Sequence, residues 1–142
     1  MEIQFDKDGG LVPAIIQDDA SGDVLMLGFM NAESFEQTRR TGEVVFFSRS
    51  RNKLWKKGEL SGHVLKVSDI RVDCDADALL VRVTPVGPGV CHEGYRSCFF
   101  RSLNHKSTPR IIAQRTFEPD DVYASANSAA SASKLPRSSE AE

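Results

Sequence analysis

The sequence predicts an α+β fold, a single β-rich domain with one main helix. Two observations predict it. Short runs rich in Val, Ile, Leu and Phe recur between clusters of Gly, Pro, Asp and Ser, and only one segment carries signals for both ends of a helix. No internal repeat is visible. At 142 residues, with 40% hydrophobic and 27% charged side chains, the chain fits one domain with a packed core.

The elements follow in order. Residues 11–30 are apolar at both ends, with Gln17-Asp18-Asp19-Ala20-Ser21-Gly22-Asp23 between. Asp, Ser and Gly supply turn geometry, so the segment reads as two strands joined by a hairpin loop. Asn31 then caps a helix, with Glu33 in the first turn complementing the dipole. The helix should run to about Arg40, and Thr41-Gly42 stops it. Residues 44–48 are strongly β-prone, 63–72 alternate loosely, and 78–86 form a further strand stopped by Pro85 and Gly87-Pro88-Gly89. A short strand is expected within 98–103. The domain is expected to span 1–118. The tail, 119–142, turns Ala- and Ser-rich and buries too little to offset its ordering entropy, so it reads as disordered.

Bulk properties exclude some functions. A net charge of -2 argues against a general nucleic-acid binder but not against a small anionic ligand. There is no secretory signal and no apolar run of membrane-spanning length, so the expectation is a cytoplasmic protein without a membrane partner. Three cysteines, an odd number in a reducing compartment, point to metal binding or simple burial rather than a disulfide framework.

Three segments carry chemistry. Cys74, Cys91 and Cys98 lie close in sequence. Soft thiolates select zinc, and three ligands with one open position is the arrangement of a catalytic zinc. His92 could close such a site as a fourth ligand, and three buried thiols without metal is the competing reading. Asp73, Asp75 and Asp77 offer hard oxygens that suit magnesium. In a regular strand they would share a face opposite Cys74, with Asp73 and Asp77 about 13 Å apart, so one ion requires the chain to bend. Cys74 could then be offered to a neighbouring subunit; a solvated acidic turn is the alternative. The third segment, Arg49 to Glu59, holds Arg49, Ser50, Arg51, Lys53, Trp55, Lys56 and Lys57. Arg forks, Lys point charges and Ser hydroxyls suit phosphate, and Trp55 suits either base stacking or the core. An ordinary solvated basic edge is the alternative. His92, beside Cys91, and then His63 are the candidates for proton transfer.

At these residues the sequence closely resembles the phosphoribosyl-AMP cyclohydrolase family, over about residues 10–103. The resemblance rests on Leu11-Val12-Pro13-Ala14, Val24-Leu25-Met26-Leu27, Met30-Asn31, Thr41-Gly42-Glu43 and Ser48-Arg49-Ser50-Arg51. It continues through Leu54-Trp55-Lys56-Lys57-Gly58-Glu59, Ser61-Gly62-His63, Asp73-Cys74-Asp75 with Asp77, and Cys91-His92 with Arg96-Ser97-Cys98-Phe99. It implies a homodimer with metal sites at the subunit interface. Zinc would be held by Cys74, Cys91 and Cys98, shared between subunits, and magnesium by Asp73, Asp75 and Asp77. It further implies a hydrolase of histidine biosynthesis acting on 1-(5-phosphoribosyl)-AMP, in which zinc-activated water adds at C6 of the purine and the N1–C6 bond opens. Arg49, Arg51, Lys53 and Lys57, with Ser50, are then the expected partners of one substrate phosphate. One departure is Ala76, where the family usually has Gly; this matters if the position needs positive φ. Some relatives carry a fused pyrophosphohydrolase; about 40 residues follow Leu103 here, so a single activity is expected. The competing functions are a zinc nucleotide deaminase, a zinc-stapled binding module and a redox-sensing thiol protein.

Overall fold

The computed structural model describes residues 1–104 and 108–123. After a short 3-10 turn (Phe5–Asp8), the chain runs β1 (Val12–Asp18), β2 (Val24–Met30), α1 (Ala32–Thr41), β3 (Val45–Ser48) and β4 (Lys53–Lys56). It continues with β5 (Leu65–Val72), β6 (Leu79–Pro85), β7 (Arg101–Ser102) and β8 (Arg110–Ile111). One four-stranded sheet has the order β2-β1-β6-β5, and β3-β4 and β7-β8 form two-stranded ribbons. All pairs are antiparallel except β1 with β6. The α+β expectation is met, and among the described residues no helix is long and apolar enough to cross a membrane.

Alternation builds the core. Every second residue of β1 is buried, which sends Val12, Ala14 and Ile16 to the same face as Leu79, Val81 and Val83 of β6. Met30, Phe46, Trp55 and Leu65 complete the cluster. Each such side chain contributes about 1.5–3 kcal/mol by leaving water. The β3-β4 ribbon seats tightly on β2, because a Cβ at Gly28 would lie 2.5 Å from the Phe46 ring. Glycine is what permits that approach.

The helix forms as its caps predict. Asn31 Oδ1 accepts from Ser34 N at 2.8 Å, Ser34 Oγ accepts from Asn31 N at 3.0 Å, and Gly42, at φ 75°, donates its N–H to Thr38 O. Three local features differ from expectation. The basic segment contains a strand, β4, which pairs Trp55 opposite Phe46. The strand expected from 63 begins at Leu65, leaving His63 outside it. The segment expected within 98–103 is the two-residue β7, and its partner β8 lies beyond it. Of the expected tail, residues 119–123 are helical and the remainder lies outside the described residues.

Candidate active site

The loop after β6 carries two cysteines. Cys91 N donates to Tyr95 O and Gly94 N to Cys91 O, at 3.1 and 3.0 Å, which folds the chain into a tight turn. Arg96 anchors that turn to the β1–β2 hairpin loop: its guanidinium pairs with Asp18, reaches Asp23 Oδ2 at 2.8 Å and donates to Ser21 Oγ at 3.0 Å. Ser97 Oγ donates to Val24 O and Cys98 N to Leu25 O, at 2.9 and 2.7 Å, so β2 sets the position of Cys98. Cys91 is buried beside Cys98. A hydrogen bond from Cys98 draws the Cys91 thiol down to about 7; burial opposes this, and the Glu93 and Tyr95 backbones assist. This pair is a soft donor set poised to lose a proton, which fits zinc. Cys74 is exposed, and the three cysteines do not converge within one chain: among the described residues, only three carboxylates gather closely enough to share an ion.

Those carboxylates are Asp73, Asp75 and Asp77, whose ligand atoms lie within 4.8 Å of one another. The regular strand considered from sequence is absent here. Strand β5 ends at Val72, and residues 73–78 turn back into β6. Asp73 Oδ1 accepts from Asp77 N and Ala78 N, at 3.0 and 3.2 Å, and Ala76 sits at φ 64°, where glycine is favoured. The bend removes the 13 Å separation of an extended strand. Lys7 approaches the cluster, with Nζ 2.9 Å from Asp77 and 3.6 Å from Asp75. Its hydrogen bond holds the Asp77 carboxyl below the ordinary carboxylate value, while the bond to Asp77 raises Asp75. Clustered carboxylates that already attract an ammonium group have the chemistry of a hard-cation site.

The basic run reaches Cys98 through a cleft of about 660 Å³, whose lining also includes Ser48, Arg49, Ser50, Trp55 and Phe99. Arg49 stacks on Phe29, 4.0 Å from the ring centroid, so its fork is held at the cleft. Trp55 packs 5.3 Å from Phe46 and is 8% exposed, a core residue with an edge at the cleft. Arg51 and Lys53 are exposed on the turn and strand beside it, whereas Lys57 is buried with its ammonium 5.6 Å from the Trp55 ring. His92 is half-buried next to Cys91. His63 places Nδ1 3.0 Å from Gly89 O, two residues before Cys91.

The family model for phosphoribosyl-AMP cyclohydrolase matches residues 26–100. A protein of that name from Solibacter usitatus is 55% identical over 123 residues, covering 87% of this chain and 97% of its own length. Others of that name, from Desulforapulum autotrophicum and Methanosarcina barkeri, are 50% and 52% identical. Each again covers 87% of this chain, with 98% and 94% of its own length. The chain belongs to the phosphoribosyl-AMP cyclohydrolase family.

Several supports of this cyclohydrolase site escaped the sequence reading. In the sequence Asp18 carries only a turn signal, yet it anchors Arg96 from 78 residues away. In the sequence Gly87 and Gly89 signal only the end of a strand, yet they pack against His63 and Tyr95. Thr116 and Phe117, beyond the matched segment, close over the same loop. Local signals were too weak to find them, because each acts through a contact distant in sequence.

Proposed function

We propose that this cyclohydrolase hydrolyses the purine ring of 1-(5-phosphoribosyl)-AMP. Zinc would sit at Cys91 and Cys98 of one subunit with Cys74 of a second, and magnesium at Asp73, Asp75 and Asp77. The observation that carries the reading is the shared cleft, in which the anion-binding Arg49 and Ser50 and the thiol of Cys98 line one cavity. Bound at the cysteines, zinc would lower the pKa of a water molecule, and magnesium at the aspartates would supply counter-charge for phosphate or ribose oxygens. The chain's own residues do the rest. Arg49, already stacked on Phe29, pairs with a substrate phosphate, and Ser50, Arg51 and Lys53 surround the same approach. Phe99 and the edge of Trp55 give the purine an apolar wall that excludes water. Water oxygen bonds to C6 of the cationic, N1-ribosylated ring as one water proton is accepted by an imidazole. When the N1–C6 bond breaks, that proton passes to the departing nitrogen, and the second leaves the C6 hydroxyl for solvent as the carboxamide carbonyl forms. His92 is the first candidate for that transfer and His63 the second.

A homodimer accounts for the exposed Cys74. It is also supported by apolar side chains in water, with Phe99 56% and Leu103 62% exposed. Three free thiols suit a reducing, cytoplasmic setting. The test is to incubate zinc- and magnesium-loaded protein with phosphoribosyl-AMP while following ring-opening absorbance and ammonia together. Absorbance change without ammonia, lost in Cys98→Ala, is the expected result. Ammonia release would replace this reading with a deaminase, and no turnover by folded, metal-loaded protein would overturn it.

A further inference from the structure

The matched family segment ends at residue 100, but the chain returns to the site beyond it. Residues 115–117 lie across the loop that carries Cys91 and His92. Arg115 Nε donates to Glu93 O at 2.8 Å, Thr116 N donates to Gly94 O at 2.8 Å, and Thr116 Oγ1 donates to Pro88 O at 2.9 Å. The approach is close: a Cβ at Gly94 would lie 2.5 Å from Phe117 O. This strap delivers Phe117 to His63, edge to face, with ring centroids 4.9 Å apart and planes at 90°.

The His63 ring is confined on its other sides. Its backbone is fixed where Gly58 passes beneath, since a Cβ there would lie 2.6 Å from His63 C and Val64 N. His63 N donates to Ser61 Oγ at 3.1 Å. A Cβ at Gly87 would lie 2.5 Å from His63 Cδ2, so the ring rests against bare backbone. Nδ1 faces Gly89 O at 3.0 Å, and a carbonyl oxygen can only accept. The proton of the neutral imidazole therefore sits on Nδ1, and Nε2 keeps its lone pair.

We propose that Phe117 is a positioning residue, holding the His63 imidazole with Nδ1 on the Gly89 carbonyl and Nε2 available to accept a proton. The strap couples the two candidate histidines, because the loop it ties down bears His92 and ends in the backbone that orients His63. Without the Phe117 ring, His63 keeps its backbone position but is free to rotate about χ1 and χ2 away from Gly89. The proposal rests on the reading of His63 as a proton carrier, and the experiment separates the two.

Full-length protein with Phe117→Ala and with Phe117→Tyr is compared with the parent by long-range 1H–15N spectra of His63, zinc content and steady-state kinetics. In Phe117→Ala, the His63 signals are expected to lose the fixed Nδ1–H pattern. The kcat should fall about ten- to hundredfold at unchanged KM and zinc content. Phe117→Tyr should restore both. If Phe117→Ala does not fold, Phe117→Leu takes its place. Unchanged His63 signals overturn the proposal whatever happens to turnover, as does parallel loss of zinc, KM and kcat, which would make the strap a structural cover only. His63→Gln turning over at the parental rate would remove His63 as proton carrier. The spectra would still report whether Phe117 holds its ring.

Discussion

Ala76 holds a backbone conformation that L-residues avoid, at φ 64°, and it does so at the turn that gathers three carboxylates. The left-handed region costs a non-glycine residue about 1–2 kcal/mol, because Cβ crowds the following carbonyl. The turn over-determines it: Ala76 N donates to Asp73 O at 3.2 Å, Gln4 N donates to Ala76 O at 2.7 Å, and the methyl is buried. Ala76→Gly removes the strain but also the packed methyl, about 0.8 kcal/mol, so stability should stay within about 1 kcal/mol of the parent. Ala76→Val puts a branched Cβ where even Ala is strained, and should cost more than about 2 kcal/mol. Urea midpoints check both, and repeating them with magnesium checks the site. The parent and the Gly variant should gain stability from the ion, and the Val variant should not. A Val variant as stable as the parent would mean the turn tolerates another geometry.

Among the elements, the β1–β2 hairpin loop and the cysteine loop are joined by Arg96, and this clamp is pH-dependent. Burial pushes the Asp18 carboxyl up, but Ala20 N, Ser21 Oγ and the Arg96 guanidinium outweigh it, so the group titrates below its ordinary value. A carboxyl depressed in the folded state stabilises at pH values above the unfolded value of about 4 and loses that contribution as pH falls through the lower folded value. Asp18→Asn should therefore cost about 1–3 kcal/mol at pH 7, and its stability should fall less steeply than the parent's below pH 4. Chemical denaturation at several pH values measures both; parallel curves would leave the clamp without a role. This contact also shows where sequence reading stopped. Helix α1 was legible because Asn31, Ser34 and Gly42 act within a few residues of the bonds they make. Strand β4 was not, because Lys53, Lys56 and Lys57 masked a strand whose evidence is the pairing of Trp55 with Phe46 across a turn. The cysteines and aspartates were legible as residue types. Strand alternation already offered Cys74 to a neighbouring subunit, although the chain bends there; the Arg96–Asp18 clamp was not legible, since it joins residues 78 apart through the register of β1 with β2.

At the scale of the whole molecule, one chain carries two of the three thiols proposed for zinc in one place and the third elsewhere. If Cys74 serves the Cys91–Cys98 pair of a second copy, neither Cys74→Ala nor Cys98→Ala dimers should retain activity. A mixed dimer of the two behaves differently. The subunit with intact Cys91 and Cys98 receives Cys74 from the other, which completes one of its two sites; the second site lacks both. Random reassortment makes about half of all dimers mixed, each with one working site of two, so about a quarter of the parental activity should return. The measurement is to unfold the two inactive variants together, refold with zinc, and assay turnover and zinc content against each variant refolded alone. Recovery requires exchange of subunits, so variants mixed without unfolding should regain activity only as fast as dimers dissociate. A mixture that stays inactive while forming stable dimers would assign all zinc ligands to one chain, and the exposed Cys74 would then need a rearrangement of its loop to reach the other two.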